Sequence, residues 1–569
     1  MYRKYVSTKD LVLSCFFLLL FIFSTVLIFI TPASVKITYG LTVQSEDGVT
    51  VSFNVFEPRP DLYDAFNSGT QKKAIIIGHG FMANKEIMKG YALELAAAGF
   101  VAVPFDFRGH GQSTGTLGEN LMNRNLINDV RAIQAYLEDR GDIDMDNLGY
   151  IGYSMGGGPG NQIVSEDTAF KCFIGIGTGL PTEDYRPEYV VNASSGRTLN
   201  VLMIQARFDE AVTLARVKEG MAFRLNVKPE DIDTNKLYGS FEDGNASMIF
   251  LDDNTNHLLL AWDQDFIREA RNWVISTFPE VRNPDENFYV NTRFIIVALQ
   301  ITGGLGVFFL IAGQLSSIIL KNSGENVEVV GVDLPDFSAT NVTLQAVIIS
   351  LVLGLPGMII FGPVNAFLPL NTIGQVLMLL FGQAFGIFLL TWWLGKKTGV
   401  SGLVILKKPF EGKESLLRHV LLGVVLSPIL YIILHLSIGL NYYAILPSIA
   451  KIIISPVYMA IGFIIFTVFG LFFQAIIQNN LEDNFRGLIK ATSITFGVQI
   501  QYMVFYLLLL SLAMGSFFTF GVYLPVTIPT TLLASSVSVF LYKKTGNIVA
   551  PTMINAFFIT LMTCTVSVL

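Results

Sequence analysis

The chain is poor in charge, in cysteine and in histidine. Asp, Glu, Lys and Arg make up only 15% of its 569 residues, where soluble globular domains carry about 25%. That shortfall excludes a wholly water-soluble protein. The formal net charge of −7 lacks the basic footprint of a nucleic-acid partner. The three cysteines, Cys15, Cys172 and Cys564, are far apart, and two of them lie in apolar runs. This argues against a disulfide framework and against a metal site. No cofactor-binding pattern is present either. Histidine is limited to His79, His110, His257, His419 and His435, so any proton-transfer chemistry has few candidates.

What the chain does have is apolar residues, 52% of the total, unevenly spread. Residues 31–292 have the mixed composition of an ordinary globular domain. Residues 11–30 and everything after about 293 are dominated by long apolar runs. The expected organisation is a transmembrane anchor at 1–30, a water-soluble domain at 31–292 and a membrane domain of about eight helices at 293–569. Arg3, Lys4 and Lys9 precede the first apolar run, and no small-residue cleavage site follows Ile30, so an uncleaved anchor is favoured over a signal peptide. With the amino terminus inside, Lys396, Lys397, Lys407, Lys408, Lys413 and Arg418 fall on the cytoplasmic side. Arg486 with Lys490, and Lys543 with Lys544, fall there too. The positive-inside rule therefore predicts an extracytoplasmic soluble domain in a multi-pass membrane protein. The loop at 321–340, with Lys321 against Glu325, Glu328, Asp333 and Asp336, gives no help.

The soluble domain alternates apolar strands and amphipathic helices. Strands are expected at 35–44, 49–57, 73–78, 100–105, 148–153, 172–177, 200–206 and 248–252. Helices are expected at 85–98, 123–140, 213–225 and 257–277. Repeated β-α-β units predict a mostly parallel sheet covered by helices, with its site at the carboxyl ends of the strands. Gly152-Tyr153-Ser154-Met155-Gly156 follows one of these strands directly. Its spacing is that of a nucleophile elbow, in which a tight turn pushes a serine hydroxyl out of the sheet rim. A serine hydroxyl needs a base and an acid to orient that base. His257 lies after the strand at 248–252, and Asp209 follows the strand at 200–206. Glu210, Asp252 and Asp253 compete with Asp209 for the acid's place. Ser154, Asp209 and His257 stand in the Ser…Asp…His chain order of one hydrolase architecture.

These segments, with His79-Gly80-Phe81 and Asp106-Phe107-Arg108-Gly109-His110-Gly111-Gln112-Ser113, resemble an α/β-hydrolase domain over about 35–280. The resemblance implies oxyanion-hole N–H groups at Phe81 and Met155. It also implies acyl transfer by Ser154, His257 and Asp209. His79 and His110, as loop histidines, are expected to order backbone and not to transfer protons. The expected fold class is an α/β-hydrolase domain fused to an all-α polytopic membrane domain. The expected function is a serine esterase or lipase-like acyl hydrolase acting on a small-molecule or lipid-like acyl substrate beside membrane lipids. A serine peptidase, or a non-catalytic ligand-binding domain on a transporter-like part, is the alternative. The stretch at 179–198 is expected to form a short apolar flap. The membrane part resembles CAAX- and bacteriocin-processing proteases in Glu482-Asp483-Asn484-Phe485-Arg486-Gly487 and in residues 542–551. Leu481, Ile500 and Asn555 stand where that family has its glutamate and histidines, which implies a scaffold without catalytic groups of its own.

Overall fold

The computed structural model describes residues 8–117, 125–321, 329–334, 337–397 and 402–568. Arg3, Lys4, Glu325, Glu328 and Asp336, used above for topology, lie outside them. Contacts divide the chain into two units. One takes in Ser24–Ala298 together with Leu436–Ile449, and the other Leu299–His435 with Ala450–Ser567.

In the first unit, helix α1 (Thr8–Ile30), whose last turns belong to it, leads into an eight-stranded sheet. The strands are β1 (Val35–Gln44), β2 (Thr50–Pro58), β3 (Lys72–Gly78), β4 (Val101–Phe105), β5 (Ile143–Tyr153), β6 (Phe170–Ile176), β7 (Asn200–Phe208) and β8 (Ser247–Asn256). Their order is β1-β2-β4-β3-β5-β6-β7-β8. The β1–β2 hairpin and the β2–β4 pair are antiparallel; every later pair is parallel. Ala74, Ile75, Ile76 and Ile77 of β3 are wholly buried, as a strand covered on both faces requires. The covering helices are α2 (Pro60–Asn67), α3 (Lys89–Ala97), α4 (Leu126–Arg140), α5 (Gly157–Glu166), α6 (Leu214–Leu225) and α7 (Gln264–Thr277).

Several elements differ from the sequence expectation: β5 starts at Ile143, before the expected 148, β7 runs on to Phe208, and the helix expected at 257–277 is a 3-10 turn, Leu259–Ala261, followed by α7 from Gln264. The helix expected at 85–98 is split into a 3-10 turn, Lys85–Met88, and α3. Asn84 is the cause: its side chain accepts from Glu86 N and starts the turn, while Lys85 N is drawn to Asp106 Oδ1 at 2.7 Å. The last strand runs on to Asn256, beyond the expected 252. Helix α2, absent from the expectation, starts with Pro60 in its first turn and buries Tyr63 and Asn67, the position at which proline suits a helix.

The second unit is helical. Its helices are α8 (Val290–Lys321), whose first turns belong to the hydrolase unit, α9 (Ala339–Ala366), α10 (Asn371–Lys397), α11 (Gly402–Lys407), α12 (Lys413–Leu434), α13 (Ile449–Phe469), α14 (Phe485–Met514), α15 (Phe518–Thr545) and α16 (Val549–Val566). Among the described residues nine helices, α1 included, are long and apolar enough to cross a membrane. Polar side chains within this unit bond to backbone on neighbouring helices. Gln383 Nε2 donates to Val498 O at 3.0 Å and Tyr506 hydroxyl to Leu351 O at 2.7 Å. Asn555, where the protease resemblance expects histidine, donates to Ala534 O and to Ser538 Oγ. Glu482 and Arg486 are exposed.

Candidate active site

Strand β5 ends at Tyr153, and Ser154 follows at φ +50°. This left-handed conformation is costly for a non-glycine residue and is held only where neighbours enforce it. The neighbours are glycines of necessity. A Cβ on Gly152 would lie 2.6 Å from Gly156 O, and one on Gly156 would lie 2.6 Å from Gly78 O. Helix α5 begins three residues after the serine, at Gly157.

The parallel register then assembles the partners. Phe208 of β7 pairs with Asn256 of β8, so Asp209 and His257, each one residue further, emerge side by side. His257 Nδ1 is 2.9 Å from both Asp209 oxygens, and its Nε2 is 2.9 Å from Ser154 Oγ. Because a carboxylate only accepts, the Nδ1 proton is directed to Asp209 and Nε2 is left to accept the serine hydroxyl. The His257 side chain is 2% exposed and that of Asp209 is fully covered. Asp209 Oδ1 also accepts from Ala211 N and Val212 N, both at 2.8 Å, which fixes the carboxylate plane.

Four residues around this chain were not singled out in these roles by the sequence. Tyr153 stacks beneath the imidazole with ring centroids 5.5 Å apart, and its hydroxyl donates to His257 O at 2.9 Å. Burial pushes that hydroxyl well above its ordinary pKa, so it stays a donor. Glu210, weighed above as a rival to Asp209, instead accepts from His257 N at 3.2 Å. Burial pushes its carboxyl up. Gly177 turns at φ +53°, and a Cβ there would sit 3.1 Å from both Asp209 Oδ2 and His257 Cε1. Asn84 fixes the turn after β3, as described above. Adjacency to the elbow and to Asp209 was an available signal for Tyr153 and Glu210. Gly177 and Asn84 carried no local signal. Asp252 has a carboxylate oxygen within 4.8 Å of those of Asp263 and Asp265. These three half-exposed acids are the group of possible metal ligands among the described residues. The side chain of Asp253 lies outside the described residues.

The expected oxyanion positions flank the serine. A Cβ on Gly80 would lie 3.1 Å from Ser154 Cβ, so Phe81 is one residue from atoms that touch the serine. Met155 directly follows it in the 3-10 turn Ser154–Gly156. Both side chains are half-buried against the core. His79 orders this loop: Nδ1 donates to Gly80 O at 2.7 Å and Nε2 accepts from Phe107 N at 3.1 Å. His110 Nδ1 donates to Arg108 O at 3.0 Å.

The Asp106–Ser113 segment is a brace. Asp106 accepts from Lys85 Nζ at 2.6 Å and from Gln112 N at 2.9 Å. Burial alone would raise its pKa, but the Lys85 ammonium, His79 and the Gln112 N–H outweigh it and hold the carboxyl below its usual range. Arg108 bridges Asp129 and Asp47.

A family model agrees with this architecture, and individual proteins are similar over parts of the chain. The profile of the family described as serine aminopeptidase, S33, matches residues 69–235. The matched stretch contains Ser154 and Asp209 and ends before His257. A 31.7 kDa protein from the traX-finO intergenic region of Escherichia coli is 31% identical over 101 residues, covering 18% of this chain and 35% of that protein. An uncharacterized protein of Mycobacterium tuberculosis is 26% identical over 116 residues, 20% of this chain and 37% of its own. The chain thus spans little more than a third of the length of these curated relatives. The esterase Pf2001 of Pyrococcus furiosus superposes over 43% of this chain and 94% of its own, at 18% identity and a TM-score of 0.32. Sheet order, elbow and family match together identify the domain: the chain carries an α/β-hydrolase domain of the serine-hydrolase type, fused to an all-α region of multiple membrane-span helices.

Proposed function

We propose that the protein is a membrane-embedded serine acyl hydrolase that cleaves carboxylic esters. The observation that carries this reading is the unbroken hydrogen-bond chain from Asp209 through His257 to Ser154, with the serine raised on a strained turn. Ser154 attacks the ester carbonyl while His257 takes its proton. Asp209 keeps the imidazole in the correct tautomer and stabilises it once charged. The Phe81 and Met155 N–H groups receive the tetrahedral oxyanion, each such donor contributing about 3 kcal/mol to the barrier reduction. His257 returns the proton to the leaving alcohol. Water, activated by the same imidazole, then releases the acyl group from Ser154.

The short irregular stretch between β6 and β7, with its single 3-10 turn at Pro187–Tyr189, supports an open acyl site over a deep one. The three cationic loop groups named above support an extracytoplasmic hydrolase domain. A fluorophosphonate probe tests the chemistry: wild type takes the label and Ser154→Ala does not. Equal labelling of both removes Ser154 as the nucleophile. A second reading, an aminopeptidase, is favoured by the description of the matching family. Faster hydrolysis of aminoacyl p-nitroanilides than of p-nitrophenyl esters would select it.

A further inference from the structure

The segment Leu436–Ile449 joins α12 to α13 in the sequence but belongs to the hydrolase unit. Its first half is anchored by buried cations. Lys89, 2% exposed, donates to Leu440 O and, at 2.8 Å, to the Tyr39 hydroxyl. Arg293 donates to Asn441 Oδ1 at 2.9 Å. The Tyr442 ring meets Trp262 edge-on, centroids 6.2 Å apart. The next two residues then reach the turn that follows β3. Ala444 N donates to Asn84 Oδ1 at 3.1 Å, and Asn84 Nδ2 returns a bond to Ala444 O at 3.4 Å. The Tyr443 hydroxyl donates to Met82 O at 3.3 Å.

That turn carries Phe81. Its own closing bond, Ala83 N to Gly80 O, is long at 3.3 Å. Met82 is held at φ +57°, a conformation a side-chain-bearing residue keeps only under outside constraint. The bonds from residues 443 and 444 supply outside constraint on this turn, beside that of His79 on Gly80 O. An oxyanion donor works only when its N–H is aimed at the position the charge will occupy. Rotation of the 80–82 peptides would misdirect the Phe81 N–H without closing the site to substrate.

We propose that Leu440–Ala444 is a strap that aims the oxyanion turn, which makes Tyr443 and Asn84 positioning residues for acyl transfer. The proposal rests on the serine-hydrolase reading above. It assigns a chain segment from between two membrane-span helices to the working site.

The test uses the full chain in detergent, with p-nitrophenyl butyrate as substrate and rates normalised to the serine titrated by fluorophosphonate. Asn84→Ala, which removes both paired bonds, and Ala444→Pro, which removes the Ala444 N donor, are expected to lower kcat about 10- to 100-fold, and Tyr443→Phe about 3-fold, with KM unchanged. The inhibition constant of an alkyl trifluoromethyl ketone, which forms the tetrahedral adduct, rises in step. Asn84→Asp keeps the acceptor for Ala444 N and recovers part of the rate. Unchanged kcat in Asn84→Ala, Ala444→Pro and Tyr443→Phe overturns the strap. So does a lower kcat with an unchanged ketone constant, because that pattern reports general loosening. A wild-type protein that neither turns over ester nor takes the label ends the hydrolase reading itself; labelled wild type with indifferent strap variants ends the strap alone.

Discussion

The two units differ in how many of their buried polar groups are paired charges. In the hydrolase unit, several buried charges meet counter-charges: Lys85 meets buried Asp106, and Arg108 meets buried Asp129 and the exposed Asp47. In the helical unit, buried polar side chains more often bond to backbone carbonyls across helices, as Gln383 does to Val498 O and the buried Lys451 does to Thr565 O. There, helices approach closely where side chains are absent: a Cβ on Gly357 would sit 2.9 Å from Gly382 Cα. The contrast follows from solvent. A domain with a water-facing surface can hold charge networks whose directionality fixes loops to fractions of an ångström. A helix in hydrocarbon has little to gain from ionised groups and associates through small residues and isolated hydrogen bonds. Precision for chemistry is concentrated in the first unit; tolerance of substitution is expected in the second.

Four experiments would break or sharpen that contrast. The largest effect is expected at the site itself. Ser154→Ala should lower ester turnover at least about 10³-fold while the melting temperature stays within a few degrees of wild type. Retained turnover would show that the precise geometry is not the working one. Next is the brace behind it. Lys85→Met leaves Asp106 buried without its ammonium, and breaking such a pair costs about 3–5 kcal/mol, read as a lower midpoint in denaturant. A shift as small as that of a surface mutant would mean the networks are ornamental.

Third is Glu94, 1% exposed, which accepts from Tyr289 N and Val290 N at the start of α8. Burial raises its pKa to about 7 from the ordinary 4.5, against the pull of those N–H groups and of Arg271. The folded state therefore holds this proton more tightly than the unfolded chain. Its stabilising contribution is full below about 4.5 and is lost as pH rises through about 7, up to about 3 kcal/mol in all. The melting temperature should fall from pH 5 to pH 8, and Glu94→Gln should flatten that slope. A wild-type profile already flat would exclude the raised pKa. The smallest effect is expected in the helical unit: Gln383→Leu removes one interhelical bond and should cost about 1 kcal/mol or less, measured by thermal unfolding in detergent. A loss as large as that of Lys85→Met would erase the distinction between the units.

Much of this was legible in the chain because its signals are local. The elbow shows as glycines two residues either side of Ser154. The buried strands show as unbroken apolar runs such as 74–77, and the spans as long charge-free stretches. The Ser154, Asp209 and His257 side chains come into hydrogen-bond contact because each follows the end of a parallel strand, and strand ends can be read. The split at Lys89 could not be read, since Lys85–Ala97 has helical composition throughout; it takes the Asn84 side chain on Glu86 N, with Lys85 N drawn to Asp106, to break it. Nor could the pairing of Asn84 with Ala444, 360 residues apart, which leaves no periodicity in either segment. Partners among α8–α16 were hidden for a different reason: helices apolar on all sides have no stripe to mark the packed face.

The membership of Leu436–Ile449 in the hydrolase unit bears on how the protein is made. Translation yields Ala298 first and Leu436 about 140 residues later, on the order of ten seconds at ribosomal elongation rates. During that interval the nascent domain has its sheet, its elbow and its imidazole, but waits for the piece that completes it. Release before Leu436 would leave this unit short of its last segment, so its completion follows synthesis of the intervening helices.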